Sequence, residues 1–269
     1  MRNRHRSSAL ISAALALPLG ALACGPALAV KKAPYPEVKV SLAEAFQPDE
    51  AFRAMRTALN AAISSKNTQA LFALVHTMFI WTVDGALSQD FNPGESAIDN
   101  FKVVFGFRAP GAAKDGGVEN GPFWDDLAFF AADNVLYKDA NVTNLVCGPM
   151  LAEAQDDDAF DKAEKKVATP GEPTIWYFTL AETTVKASPD QKAAAVGKVG
   201  TVALPLLSIY PAQQGNAPPP PTFFEVLLPS GKSGWVPASA ARPMEGNRLC
   251  YAKDSSGKWK IVLFDEASE

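Results

Sequence analysis

The sequence predicts an α+β protein, with a mainly helical N-terminal domain over residues 30–150 and a small β-barrel domain over residues 173–269 ending in a C-terminal β-hairpin. Three observations carry this expectation. Apolar residues recur at helical spacing in successive stretches between Phe52 and Phe130. Beyond residue 173 the texture changes to short apolar runs parted by Gly, Pro, Ser and Asp. Between them an acidic stretch, 151–172, closes on Pro170-Gly171-Glu172 and leads into Pro173, which is strong turn chemistry and marks the boundary.

The chain opens on Arg2, Arg4 and Arg6, continues through an uncharged apolar run over 9–22, and reaches the small-x-small triplet Ala27-Leu28-Ala29. That is the layout of a secretory signal peptide, residues 1–29, cut after Ala29. The apolar run falls short of the roughly 20 residues that a helical membrane span needs. Cys24 allows a second reading, a lipid-modified lipoprotein N-terminus. Ala21, however, stands where such sites usually carry leucine. The expected location is periplasmic or secreted, with no transmembrane segment in the mature chain.

Residues 30–42 read as an extended leader with Pro34 and Pro36. A helix should begin near Pro48-Asp49-Glu50, where acidic side chains suit the first turn. Phe52, Met55, Leu59 and Ile63 give it one apolar face. Asn67-Thr68 breaks the chain, and Leu71, Phe72, Leu74 and Val75 suggest a short second helix folding back as a helical hairpin. Residues 78–83 read as a strand. A third helix is expected over 95–105, with Ile98, Phe101 and Phe105 in phase. A Gly-rich loop over 106–122 leads to a fourth helix over 123–132, with Phe123, Leu127 and Phe130 in phase. Residues 143–147 read as a strand.

The acidic run Glu153, Asp156, Asp157, Asp158, Asp161 and Glu164 lacks the Asp-x-Asp-x-Asp-Gly alternation of a calcium loop. It reads as a solvated helix or linker. Strands are then expected over 175–180, 199–209, 223–228, 234–236, 249–253 and 258–264. Asp254-Ser255-Ser256-Gly257 is the turn joining the last two.

Charge divides unevenly. Residues 1–29 carry three of the 25 basic side chains and none of the 29 acidic ones, so the mature chain has a net charge of −7. Residues 30–172 account for −8 and residues 173–269 for +1. This argues against a nucleic-acid partner, which would want a basic patch or stripe. Cys147 and Cys250 are the cysteines left after cleavage. In an exported chain they invite a disulfide, the alternative being two buried free thiols.

Three segments of the second half resemble bacterial SH3-like domains. Thr184-Val185-Lys186-Ala187-Ser188-Pro189-Asp190 is similar to the family's opening strand and turn, with Lys186 where arginine is usual. Val196-Gly197-Lys198-Val199-Gly200 resembles the turn that follows. Phe224-Glu225-Val226-Leu227-Leu228-Pro229-Ser230-Gly231-Lys232-Ser233-Gly234-Trp235-Val236 resembles the strand pair ending in Gly-Trp-Val, the most specific of the three. With the trailing hairpin the likeness covers about residues 174–264. It implies an SH3-like β-barrel in an exported protein. Residues 210–222 depart from the family by lengthening a loop. Prolines 218–221 within it read as a stiff solvated loop or as a polyproline II ligand.

Chemistry-bearing motifs are sparse. His76 is the mature chain's one histidine, so any thiol or serine catalytic centre built on histidine must use it. One His and two separated Cys do not suggest a zinc site. Gly231-Lys232-Ser233 fails as a phosphate loop, because Val226 occupies the required glycine position. No metal and no cofactor is expected. The expected function is a non-catalytic exported cell-envelope protein that binds a peptide, a cell-wall fragment or an envelope protein. Trp176, Tyr210 and Trp235 are its groove candidates. The alternative is an envelope hydrolase with its site in the N-terminal domain, drawing on Asp84, Asp99, Arg108 or Asp125, and the SH3-like barrel as a targeting module.

Overall fold

The computed structural model describes residues 33–108, 123–212 and 219–267. The signal peptide, Cys24 and most of loop 106–122 lie outside the described residues, as does the first of the four prolines 218–221. No helix among the described residues is long and apolar enough to cross a membrane.

The described residues begin in an extended segment containing β1 (Val40–Leu42). Helix α1 (Glu50–Ser64) starts where the acidic first turn places it, with Asp49 accepting from the Phe52 amide at 2.6 Å. Helix α2 (Thr68–Phe72) is capped in the same way by Asn67. The chain then turns into β2 (Val75–Val83), so Leu74 and Val75 are not helical. Asp84-Gly85, both at positive φ, form the two-residue turn into β3 (Ala86–Leu87). Asp-Gly is a favoured pair for such a turn. Helix α3 (Ala97–Val104) is capped by Ser96, and α4 (Trp124–Ala132) follows. Short strands β4 (Tyr137–Lys138), β5 (Val146–Gly148) and β6 (Ala152–Ala154) come next. The acidic run folds as α5 (Asp157–Val167), capped by Asp156 and anchored by buried Ala163 and Val167.

The second half supplies β7 (Trp176–Thr179), β8 (Thr183–Lys186), β9 (Ala195–Val199), β10 (Ala203–Tyr210), β11 (Phe223–Leu227), β12 (Ser233–Pro237) and β13 (Ala241–Pro243). A closing hairpin follows, of β14 (Arg248–Lys253) and β15 (Trp259–Glu266).

Two expectations of the fold class are overturned. First, the N-terminal part is not mainly helical. The described chain holds more strand than helix, 35% against 24%. Strands β2–β5 combine with the C-terminal hairpin in a six-stranded sheet of order β3-β2-β15-β14-β5-β4. Within it β15 pairs parallel to β2. The hairpin is therefore part of the first half's sheet, not an extension of the second half. Second, the described strands form no closed barrel. The seven strands β13-β7-β10-β11-β12-β8-β9 form an open sheet, with β13 and β9 as its edges. The N-terminal segment holds backbone groups near the start of β10, where the Ala203 amide donates to the Val38 carbonyl at 2.8 Å. Tyr35 also donates its hydroxyl to the Leu227 carbonyl at 2.8 Å. The two ends of the chain thus cross over, the leader stitching to the second half and the last hairpin completing the first.

The six-stranded sheet buries both faces, as its alternation shows. Val146, Leu249 and Tyr251 point into a core with Phe52, Leu59, Phe101, Leu127 and Phe130 of the helices. Cys147 and Cys250 point the other way, into a core shared with Tyr35, Val38, Trp176, Phe178 and Leu227. A third core, Val185, Leu204, Val226 and Val236, lies within the seven-stranded sheet. Gly234 is obligatory there. A Cβ at that position would stand 2.4 Å from Val185 Cγ1.

Candidate ligand cleft

An open cleft of about 1120 Å³ lies where α3, α4 and the edge of the six-stranded sheet meet. Its size suits a small organic ligand. One wall is the end of β2, with Trp81 and Val83, and the β3 residue Leu87. The opposite wall is the last turn of α3 with Phe105 and Gly106, and the α4 side with Phe123, Asp126 and Phe129. Phe264 and Glu266 of β15 form the floor. Phe105 packs edge-on against Phe264 at 5.1 Å, and Phe130 against Phe264 at 5.7 Å, so the floor is braced by the helical core.

Three large apolar side chains on the cleft are uncovered: Leu87 at 61% exposure, Phe129 at 57% and Phe123 at 42%. Exposed apolar side chains gathered on one concavity mark a binding surface more than an isolated exposed leucine would. The charged lining residues are Asp90, Asp126 and Glu266. Glu266 Oε2 accepts from the Trp81 indole at 3.2 Å, which fixes its carboxylate. Partial burial, then the neighbouring Asp125 carboxylate, push Asp126 above the usual aspartate range.

The sequence-derived candidates fall elsewhere. Trp176 is buried at 6% exposure, edge-on to Tyr35 at 6.1 Å and 4.9 Å from Phe160. Its indole nitrogen has no acceptor among the described residues. It is a core residue and is not among the residues lining the cleft. Tyr210 and Trp235 do meet, with ring centroids 6.2 Å apart at 85°. They share the outer face of the seven-stranded sheet with Glu225, which accepts from Ser208 at 2.9 Å and Ser233 at 3.0 Å. None of these residues is among those lining the cleft.

The residues considered for an N-terminal enzyme centre have the following settings. Asp84 is a turn residue. Asp99 accepts from Ser96 Oγ at 2.7 Å and pairs with Lys102 at 3.4 Å. Arg108 is buried against Glu95. Asp125 sits in the first turn of α4. His76 Nδ1 accepts from the Met78 amide at 2.9 Å, and His76 lies in β2 rather than at a helix end. Cys147 and Cys250 are directly opposite on β5 and β14, with a Cα–Cα distance of 4.0 Å, and are bonded to each other. That removes Cys147 as a thiol partner for His76. Among the described residues no cluster of His, Cys, Asp or Glu could hold a metal ion.

Periodicity could not have found the cleft, because its lining comes from six separate stretches of the chain, within 81–90, 103–106, 123–130, 149, 243–247 and 264–267. One signal was present. Phe129 is apolar yet falls outside the face made by Phe123, Leu127 and Phe130. An off-face aromatic on a short helix points to a second apolar surface.

Comparison with protein-family models, with curated proteins and with solved structures finds no match to the chain. The disulfide and the lack of a membrane-spanning helix among the described residues are compatible with a location outside the cytoplasm.

Proposed function

We propose that this chain is an exported, non-catalytic binding protein of the cell envelope that takes its ligand in the cleft between α3, α4 and the β2–β3 edge. The observation that carries the reading is the open aromatic concavity with Leu87, Phe123 and Phe129 uncovered on it. Uncovered apolar area of this kind costs solubility, and a bound apolar group offsets that cost by about 25 cal/mol per Å² covered. The described lining residues include no histidine, cysteine or lysine, so Ser88 has no histidine or lysine base beside it there. The N-terminal pattern of Arg2, Arg4, Arg6 and Ala27-Leu28-Ala29 supports export, with maturation near Ala29 and a periplasmic or secreted destination. The resemblance of residues 174–264 to bacterial SH3-like proteins supports an envelope setting.

The test is titration of residues 30–269 with the neutral fluorescent probe N-phenyl-1-naphthylamine. One saturable site is expected, weakened at least tenfold by Leu87→Glu, whose side chain projects from the cleft wall. Absence of saturable binding by folded protein would overturn the reading.

A further inference from the structure

We infer that the cleft selects an amphipathic cation, a molecule with an apolar body and a protonated amine. This rests on reading the cleft as the ligand site and adds the chemical class of the ligand.

The argument is one of charge complementarity. Every charged side chain among the described lining residues is acidic: Asp90 on the β3 side, Asp126 on α4 and Glu266 on the floor. None of the three forms an ion pair with a described residue. The basic groups of neighbouring elements are engaged elsewhere. Arg242 holds Asp133 at 2.7 Å, Arg248 holds Asp265, Arg108 holds Glu95 and Lys102 lies 3.4 Å from Asp99. The cleft therefore carries negative charge on three sides without a counter-ion from the described protein. Its lining includes Trp81, Phe105, Phe123 and Phe129, and aromatic rings attract cations. A carboxylate against a low-dielectric wall attracts a cation more strongly than one in open water. The raised position of Asp126 is the same effect seen from the protein side, a charge short of a partner. An anionic ligand of the same shape would meet three like charges.

The experiment is displacement of N-phenyl-1-naphthylamine by three straight-chain compounds of equal length, decylammonium, decanol and decanoate, each below its micellar concentration at neutral pH. Decylammonium should displace the probe at a concentration at least tenfold below that of decanol, with decanoate weakest. The advantage should shrink as salt is raised to 1 M, where screening acts over about 3 Å. It should fall below threefold in the Asp126→Asn/Glu266→Gln double variant, provided that its unfolding midpoint matches the parent. Salt dependence in the unmodified protein keeps the test independent of that variant. Equal displacement by all three compounds, with probe binding intact, would overturn the cation preference and leave the cleft as a ligand site. Failure of the probe itself to bind would overturn both.

Discussion

Arg56 of α1 donates to the hydroxyl of Tyr251 on β14 at 2.7 Å, joining the first helix to the penultimate strand across 195 residues. The same guanidinium donates to the carbonyls of Phe130, Ala131 and Asp133. These are groups at the C-terminal end of α4, where helix carbonyls lack partners of their own. One buried side chain thus closes a helix end and fixes the last hairpin against the helices. Arg56→Met should leave several buried acceptors and the Tyr251 hydroxyl unpaired, at about 1–3 kcal/mol for each buried group so left. The expected loss in urea unfolding is about 3 kcal/mol or more. Tyr251→Phe, which removes only a hydroxyl, should cost about 1 kcal/mol.

The bond between Cys147 and Cys250 spans 103 residues of sequence and lies in the core shared by the two large sheets. The chain-entropy treatment assigns a loop of that length up to about 4.7 kcal/mol. The Cys147→Ala/Cys250→Ala variant should unfold at lower urea by an amount of that order, and dithiothreitol should then have no further effect. In the parent protein, reductant should produce a comparable drop once the chain is opened.

Gly234, in the Gly-Trp-Val segment, has no room for a side chain between Val185 and Val196. Gly234→Ala should destabilise by roughly 1–3 kcal/mol, the usual cost of overpacking. Thermal unfolding reads this directly, and Gly197→Ala, where a Cβ would meet nothing, is the control.

Asp265 supplies a pH dependence. Burial opposes its ionisation. Bonds from Thr82 Oγ1 at 2.5 Å, from Arg248 and from the Gly85 amide at 2.9 Å outweigh burial and hold its carboxyl below the usual range. A depressed folded value means that the unfolded chain takes up the proton first as pH falls. Its stabilising contribution is therefore complete above the ordinary aspartate value, about 3.9, and is lost as pH drops through the lower folded value. Asp265→Asn should lower stability at neutral pH and flatten the fall in stability below about pH 4. Urea midpoints from pH 2 to 7 check both.

Local elements were legible in the residues, whereas long-range pairing was not. Asp49 and the spacing of Phe52, Met55, Leu59 and Ile63 place α1 within a residue or two, because capping and helical period are local properties. The hairpin of β14 and β15 is equally local, with its Asp254–Gly257 turn. That β15 lies parallel to β2 is not, since Phe264 and Trp81 pair across most of the chain and neither strand advertises its neighbour. Strands of two residues, such as Ala86–Leu87 and Tyr137–Lys138, carry no period at all. Missing them made the first half look helical. The segments 184–190, 196–200 and 224–236 supply neighbouring strands, β8, β9, β11 and β12, but a pattern within one hairpin does not report whether the outermost strands of its sheet meet. The burial of Trp176 is equally illegible, because Tyr35 and Phe160, which pack against it, are distant in sequence.

The central claim is that the cleft between α3, α4 and the β2–β3 edge is where this protein meets its ligand. Amide chemical-shift mapping with N-phenyl-1-naphthylamine tests it most directly. The account predicts saturable shifts at Val83, Leu87, Val104, Gly106, Phe129 and Glu266, with the amides around Tyr210 and Trp235 unmoved. Shifts confined to Tyr210, Glu225 and Trp235, or none at saturating probe, would contradict it.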